Sequence, residues 1–480
     1  MAKSLKVNFI YNILSTVSSL LFPLIAFSYA SRIVMPDGIG KVQFFSSIIN
    51  YIALFSSLGI PMYGIREIAR VRDDLKELSK TTLEIVSLNL LLNCVGYLVV
   101  FIICSFSTKV QDDLLLFLIL SSSIVLTTIG CSWFYNGVED FKYITIVGIV
   151  VKILCLLFLF IFVKSRDDLI YYGIYTILGT VGCNIINFIR LRKYVSLQRS
   201  TFENFNIWRH IKPAAAVFLF NIITSIYINL DSVMLGFLSS NTSVGYYSAA
   251  TKVSHVLVML ITSFGAVLLP RSSNLIQNSK MDDFYRLSSK SYNMIIFLAF
   301  PVFVEVFVCA PSLIVLFCGS EFHPAIMTLR VVSPIILALG LSNLLGIQIL
   351  YPLGKIEYVT ISTGVGALMN VILNLILIPK YHHNGAAIAT LVAESCVTLT
   401  QCILVRKLLP FSLFDKRLVR YALCSLFMYV VCGYVSSYFE TPILNIIIVG
   451  GTGIIVYLSL MLMLKDDLCI ETLKLIKNKA

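Results

Sequence analysis

Fourteen stretches of about 20 predominantly apolar residues, separated by short polar loops, limit what this chain can fold into more than any other feature. They run over approximately residues 8–31, 42–60, 82–106, 114–134, 143–163, 169–189, 213–238, 246–269, 291–310, 324–349, 357–378, 384–405, 419–438 and 443–464. A helix rises about 1.5 Å per residue, so each stretch is long enough to cross a hydrocarbon core of about 30 Å. In lipid every backbone N–H and C=O must be paired within the chain, which leaves helices or a closed barrel. The alternating pattern of roughly ten residues that marks a barrel strand is absent. The expected fold class is an all-α polytopic membrane protein with 14 transmembrane helices, and no length remains for a folded soluble domain. Composition agrees, with 58% of the 480 residues hydrophobic and 13% charged, against roughly 25% charged in soluble chains.

The net charge of +12 would suggest nucleic acid in a soluble protein. Here the basic residues are sorted by loop, so no nucleic-acid partner is expected. Most of the 37 Lys and Arg fall in the termini and in the alternate loops that share a side with them, which by the positive-inside rule predicts both termini to be cytoplasmic. The densest clusters are Arg66, Arg70, Arg72, Lys76 and Lys80, and Arg190, Arg192, Lys193, Arg199, Arg209 and Lys212. They read as retention signals beside anionic headgroups. The first stretch is expected to be a helix and not a cleaved leader, because its apolar run is too long and carries Asn8, Asn12, Ser15 and Ser19.

The chain also repeats itself. Phe9-Ile10-Tyr11-Asn12-Ile13-Leu14-Ser15-Thr16 returns in kind as Phe218-Leu219-Phe220-Asn221-Ile222-Ile223-Thr224-Ser225, and Tyr143-Ile144-Thr145-Ile146 returns as Tyr358-Val359-Thr360-Ile361. Gly40 and Gly245 take equivalent places at the starts of the second and eighth stretches. The three matches keep chain order at nearly one offset, which predicts two six-helix lobes related by a pseudo-twofold along the membrane normal. The expected organisation is an N-lobe over 1–190, a cytoplasmic linker over 191–212, a C-lobe over 213–407, and two extra helices with a tail over 408–480.

Charges inside apolar helices are costly, so each should face a partner or a polar cavity. The candidates are Arg32, Lys152, Asp231, Lys252, Glu305, Arg330 and Glu394. Two polar stripes follow helical spacing: Asn8, Asn12, Ser15 and Ser19 in the first stretch, and Ser248, Lys252, His255 and Thr262 in the eighth. Asn370 and Asn374 form a shorter one. A stripe of this kind either lines an aqueous cavity or joins helices.

Catalysis is not expected. The chain lacks a phosphate-binding G-x-x-x-x-G-K-[ST] loop and the H-E-x-x-H and G-x-S-x-G motifs, and its outer loops are too short to host the catalytic domain of a polymerase or ligase. The twelve cysteines form no C-x-x-C pair and read as small buried hydrophobes. No catalytic residue, metal site or cofactor is expected. Gly450-Gly451-Thr452-Gly453, inside the last stretch, reads as a close helix contact.

Several segments resemble the bacterial polysaccharide transporters of the Wzx type. They are Asn8 through Asn12, Ser31 through Val42, Ser57 through Ala69, Trp133 through Phe141, Asn229 through Gly236, Val244 through Ala250, Asn370 through Pro379 and Asn384 through Thr390. Together they run in chain order from the first stretch to the twelfth. The resemblance implies the fold of the multidrug/oligosaccharidyl-lipid/polysaccharide exporter superfamily, with a V-shaped cavity between lobes. It implies a cargo as well: a polyprenyl-diphosphate-linked oligosaccharide moved from the cytoplasmic to the periplasmic leaflet for O-antigen, capsule or exopolysaccharide assembly. Related flippases carry cations at the ends of helices 1, 2 and 8, and Arg32, Arg66 and Lys252 hold the matching positions. The sequence departs from the family at its common Leu-Gly-Pro turn, which here reads Val34-Met35-Pro36.

On this reading Arg32, Arg66, Lys252, His255, Arg330, Lys152, Asn12 and Asn229 bind diphosphate or sugar, and Asp231, Glu305 and Glu394 are coupling-ion or structural carboxylates. The expected partners are the lipid-linked sugar, membrane lipids, and the polymerase and chain-length machinery, in the bacterial inner membrane. The alternative is a cation-coupled multidrug exporter of the same fold.

Overall fold

The structure is a computed structural model that describes residues 5–196, 198 and 202–470. Within these, no side chain is described for 5–13, 20, 219–221, 223–227, 264, 266 and 267. Every regular element among the described residues is a helix, and the chain divides into two compact units, Met1–Gly236 and Phe237–Ala480.

The first unit contains α1 (Leu5–Ser57), α2 (Ile60–Val71), α3 (Leu75–Phe106), α4 (Leu114–Ile129), α5 (Phe141–Phe162), α6 (Leu169–Leu191) and α7 (Ile211–Leu238), the last of which carries the boundary in its final turn. The second contains α8 (Asn241–Gln277), α9 (Met281–Cys318), α10 (Ala325–Val332), α11 (Ile335–Asn343), a π-helical segment Leu344–Leu350, α12 (Ile356–Val405), α13 (Lys416–Ser436) and α14 (Pro442–Met463).

Eleven helical runs among the described residues are long and apolar enough to cross a membrane. Two of them are broken internally, α1 at Met35 (φ 64°, ψ 171°) and α12 at His382 (φ 51°, ψ −129°). Resolving both breaks and including α7 leaves fourteen membrane-length segments, one for each predicted stretch. The break in α1 falls where the sequence departs from the family's turn: Met35 adopts a backbone region that is nearly reserved for glycine, and Pro36, with no N–H to satisfy, starts the next arm.

Along the apolar part of α3, burial is inverted relative to a soluble bundle. On α3, Asn89, Asn93, Gly96 and Val100 are buried at steps of 4, 3 and 4, while Val95, Leu98, Phe101 and Ile102 are exposed. Asn93 donates to Thr128 Oγ1 on α4 at 2.8 Å. Lipid solvates the apolar face as well as protein would, so helices associate through small residues and interhelical hydrogen bonds. The second unit follows the same rule. Ala386, Ala387, Ala389 and Ala393 on α12 are fully buried, Ala387 against Val332 and Ile335, and Thr398 donates to the Ala338 carbonyl at 2.9 Å. The π-helical segment brings Asn343 and Gln348, five residues apart, into a 3.1 Å hydrogen bond.

At one end of the first unit, α2 is set by Gly59 (φ 72°) and a proline in its first turn. A Cβ at Gly59 would lie 2.7 Å from the Phe218 amide nitrogen and 2.8 Å from the Ala214 carbonyl oxygen, so both its backbone angle and its close packing on α7 demand glycine. The helix α3 starts at Asp74, whose carboxylate accepts from the Lys76 and Glu77 amides at 2.9 and 3.2 Å. Ile60, Tyr63, Leu78, Ile85, Trp133 and Ala214 close a common core there.

Candidate functional site

In the first unit the charged residue of α5 meets the polar stripe of α1. Lys152 Nζ donates to Ser19 Oγ at 2.8 Å and to Ser18 Oγ at 3.3 Å, and Ser19 in turn donates to the Ser15 carbonyl at 2.8 Å. The ammonium is half-buried, and its two partners are neutral hydroxyls, so the contact satisfies donors without neutralising the charge. Asn12, expected in the same stripe, lies outside the residues whose side chains are described.

Arg32 is exposed on the first arm of α1. Arg66, also exposed, sits on α2 with its Nε 3.3 Å from Glu67 Oε1 and its guanidinium 5.6 Å from the Tyr63 ring centre. Asn229 on α7 accepts a long hydrogen bond from Asn50 Nδ2 at 3.4 Å, and the buried Asp231, two residues on, interacts electrostatically with Tyr51.

Beneath α2 lies a polar cluster that sequence reasoning did not single out. The Glu84 carboxylate on α3 is fully buried. It accepts from the Arg209 side chain at 2.5 and 2.8 Å, from His210 Nε2 at 2.9 Å and from the Asn206 amide at 2.8 Å. His210 Nδ1 is 2.7 Å from the Tyr63 hydroxyl. A carboxylate only accepts, so Nε2 carries the proton and Nδ1 accepts from Tyr63 in the neutral ring. Burial pushes the His210 imidazole below its ordinary pKa, outweighing the opposing pull of Glu84. The available signal was a lone carboxylate at the start of the third apolar stretch, which needs a partner.

In the second unit Lys252 and His255 lie on an exposed face of α8. Arg330 on α10 is half-buried, with its Nε 3.4 Å from the Phe307 carbonyl oxygen and its guanidinium 5.5 Å from that ring's centre. Glu305 on α9 accepts from Cys309 Sγ at 3.6 Å and from Cys432 Sγ on α13 at 4.0 Å. A Cβ at Gly453 on α14 would collide with its Oε2. Of the glycine run expected to mark a close helix contact, Gly453 alone makes one, and the atom it accommodates is a carboxylate oxygen; nothing lies within 4 Å of a Cβ at Gly451. Glu394 is half-buried on α12, where its carbonyl accepts from Thr398 at 2.9 Å. All twelve cysteines are free, and among the described residues no group of three His, Cys, Asp or Glu could hold a metal.

Charged and amide side chains held among neutral partners within apolar helices define a multi-pass membrane protein built to keep polar groups inside the bilayer. The chain belongs to the family described as "Polysaccharide biosynthesis protein", whose model matches residues 5–276. It is 23% identical to a protein of Escherichia coli (strain K12) named "Putative O-antigen transporter", over 84% of this chain and 97% of that one. Among solved structures it resembles the lipid II flippase MurJ in an inward closed conformation, with a TM-score of 0.70 at 19% identity over 96% of this chain and 99% of that one. It also resembles a multidrug resistance MATE family transporter of the MOP superfamily in an inward-facing conformation, with a TM-score of 0.64 at 15% identity over 81% and 94%. These two likenesses concern the fold, and they bear out the expected all-α polytopic class.

Proposed function

We propose that this protein is a flippase, not an enzyme, that moves polyprenyl-diphosphate-linked oligosaccharide repeat units from the cytoplasmic to the periplasmic leaflet by alternating access. The observation that carries the reading is Lys152, a cation in the fifth apolar segment whose described hydrogen-bond partners are the serine hydroxyls of α1. A diphosphate crossing a bilayer needs fixed positive charge and donors for its oxygens, and a sugar needs adaptable hydroxyl and amide partners. The family and the name of the Escherichia coli relative support the same cargo class.

Arg32, Arg66 and Lys252 hold the diphosphate at successive stages, with Lys152, His255, Arg330, Asn12 and Asn229 offering further contacts to diphosphate or sugar. Asp231, Glu305 and Glu394 are candidates for binding a coupling ion or for holding helices together. The protein resides in the bacterial inner membrane with both termini cytoplasmic and serves O-antigen, capsule or exopolysaccharide assembly, alongside polymerase and chain-length proteins.

The test is a deletion strain scored for surface polysaccharide, with the leaflet of its lipid-linked repeat unit probed in sealed vesicles. Precursor trapped on the cytoplasmic face, released by an intact copy, supports the reading. Normal precursor on the outer face together with lost dye efflux would instead establish a cation-coupled drug exporter, a reading favoured by the buried Asp231 and the MATE-like fold.

A further inference from the structure

The hairpin that joins α8 to α9 runs well past the apolar stretches it connects. The eighth stretch ends near residue 269 and α8 near Gln277; α9 begins at Met281, about ten residues before the ninth stretch. At about 1.5 Å per residue, each helix projects roughly 12–15 Å beyond the hydrocarbon, and Arg271, Arg286 and Lys290, two, five and one residues from the apolar stretches, lie within about 8 Å of its edge, at headgroup depth.

Between the two projecting helices, wholly within the second unit, lies a cavity of about 670 Å³. Leu268, Arg271 and Leu275 follow steps of 3 and 4 on α8, and Asp283, Arg286 or Leu287, Lys290 and Met294 follow the same steps on α9, so one face of each helix is turned to the cavity. Arg271, Arg286 and Lys290 are exposed, and among the residues that line the cavity their three positive charges face one carboxylate, that of Asp283. The wall one turn deeper is apolar, formed by Leu268, Met294 and Ile295.

We propose that this cavity binds an anionic glycerophospholipid of the surrounding leaflet, its phosphate held by Arg271, Arg286 and Lys290 and its upper acyl chain lying against Leu268, Met294 and Ile295. Charge and polarity change in the order that such a lipid presents: a net-positive rim at headgroup depth, then an apolar wall. A basic pocket between helices at this depth suits an anionic headgroup, with each cation adding to the attraction. Two guanidinium groups supply paired donors for phosphate oxygens, and the lysine supplies a point charge. The site makes no use of Lys152, Arg32 or Lys252, so it is independent of the cargo reading above.

The experiment places the purified full-length protein in phosphatidylcholine nanodiscs with or without phosphatidylglycerol, carrying a trace of photoactivatable phosphatidylglycerol. Crosslinked peptides are then mapped and retained lipid is counted by native mass spectrometry. Crosslinking is expected within residues 268–295, competed by phosphatidylglycerol and not by phosphatidylcholine. Combining Arg271→Gln, Arg286→Gln and Lys290→Gln is expected to weaken retention on the order of a hundredfold. The charge-keeping set Arg271→Lys, Arg286→Lys and Lys290→Arg retains the lipid, and Asp283→Asn strengthens retention. Equal labelling of the glutamine variant, or labelling displaced only by a polyprenyl diphosphate, overturns the proposal. If the glutamine variant is unfolded, the map and competition on the unaltered chain decide the matter alone.

Discussion

Glu84 and His210, 126 residues apart in sequence, meet at 2.9 Å in the interior of the first unit. The contact ties the segment before α7 to the start of α3, and through the His210–Tyr63 hydrogen bond at 2.7 Å it reaches α2, which carries Arg66. A fully buried carboxylate with four donors around it is a fixed point about which these three segments are arranged.

Replacing Glu84 by alanine removes the shared acceptor of Arg209, His210 and the Asn206 amide. Arg209 is exposed enough to be solvated, but the buried His210 Nε2–H is left without an acceptor, at a cost of about 1–3 kcal/mol. Thermal unfolding in detergent is expected to show a clear drop in Tm for Glu84→Ala. Glu84→Gln, which keeps an acceptor oxygen and the volume, should lie between it and the unaltered chain.

Acid should loosen the same cluster. Burial lowers the His210 pKa, so the folded state binds fewer protons than the unfolded one over the range between the two values. The stability contributed by the neutral ring is complete above the unfolded pKa of about 6.5 and is lost as pH falls below it. Unfolding followed from pH 8 to pH 5 is expected to show a decline beginning at about 6.5, and the Asn substitution at His210 should flatten it. An unchanged slope in that variant would reject this account.

Lys152 separates function from stability. Its serine partners retain their own bonds to the Ser15 carbonyl without it, so Lys152→Met should fold with a stability change within about 1 kcal/mol. Export of polysaccharide at equal protein level is expected to fall at least tenfold, with partial recovery for Lys152→Arg. Full export by the methionine variant removes Lys152 from the cargo path.

Met35 occupies a backbone conformation that only glycine adopts freely, a strain of roughly 1–3 kcal/mol. Met35→Gly relieves it and gives back part through the greater freedom of the unfolded chain. A net gain of about 1 kcal/mol is expected, visible as a raised Tm, whereas Met35→Val should lower it.

The glycine run of α14 contains its own control. A side chain at Gly453 meets Glu305, Gly450 has ordinary room at 3.7 Å, and Gly451 has nothing within 4 Å. Gly453→Leu is expected to cost about 1–3 kcal/mol through overpacking, and Gly450→Ala and Gly451→Ala should leave the Tm unchanged or slightly raised.

How much was legible in the sequence depends on the range of the force concerned. The fourteen apolar stretches and the breaks between the first two and between the eleventh and twelfth are readable along the chain, because the transfer of a helix into lipid depends on the composition of that helix alone. Ser19 was readable too, as a polar position on the first apolar stretch. Its partner was not, since nothing in hydropathy links Ser19 to Lys152, 133 residues away. The same holds for Glu84 with Arg209 and for Glu305 with Cys432. Those pairings depend on how each helix is rotated about its axis and which neighbour it packs against. Lipid solvates every apolar face alike, so small residues and polar contacts between helices, settled only in the tertiary structure, decide both.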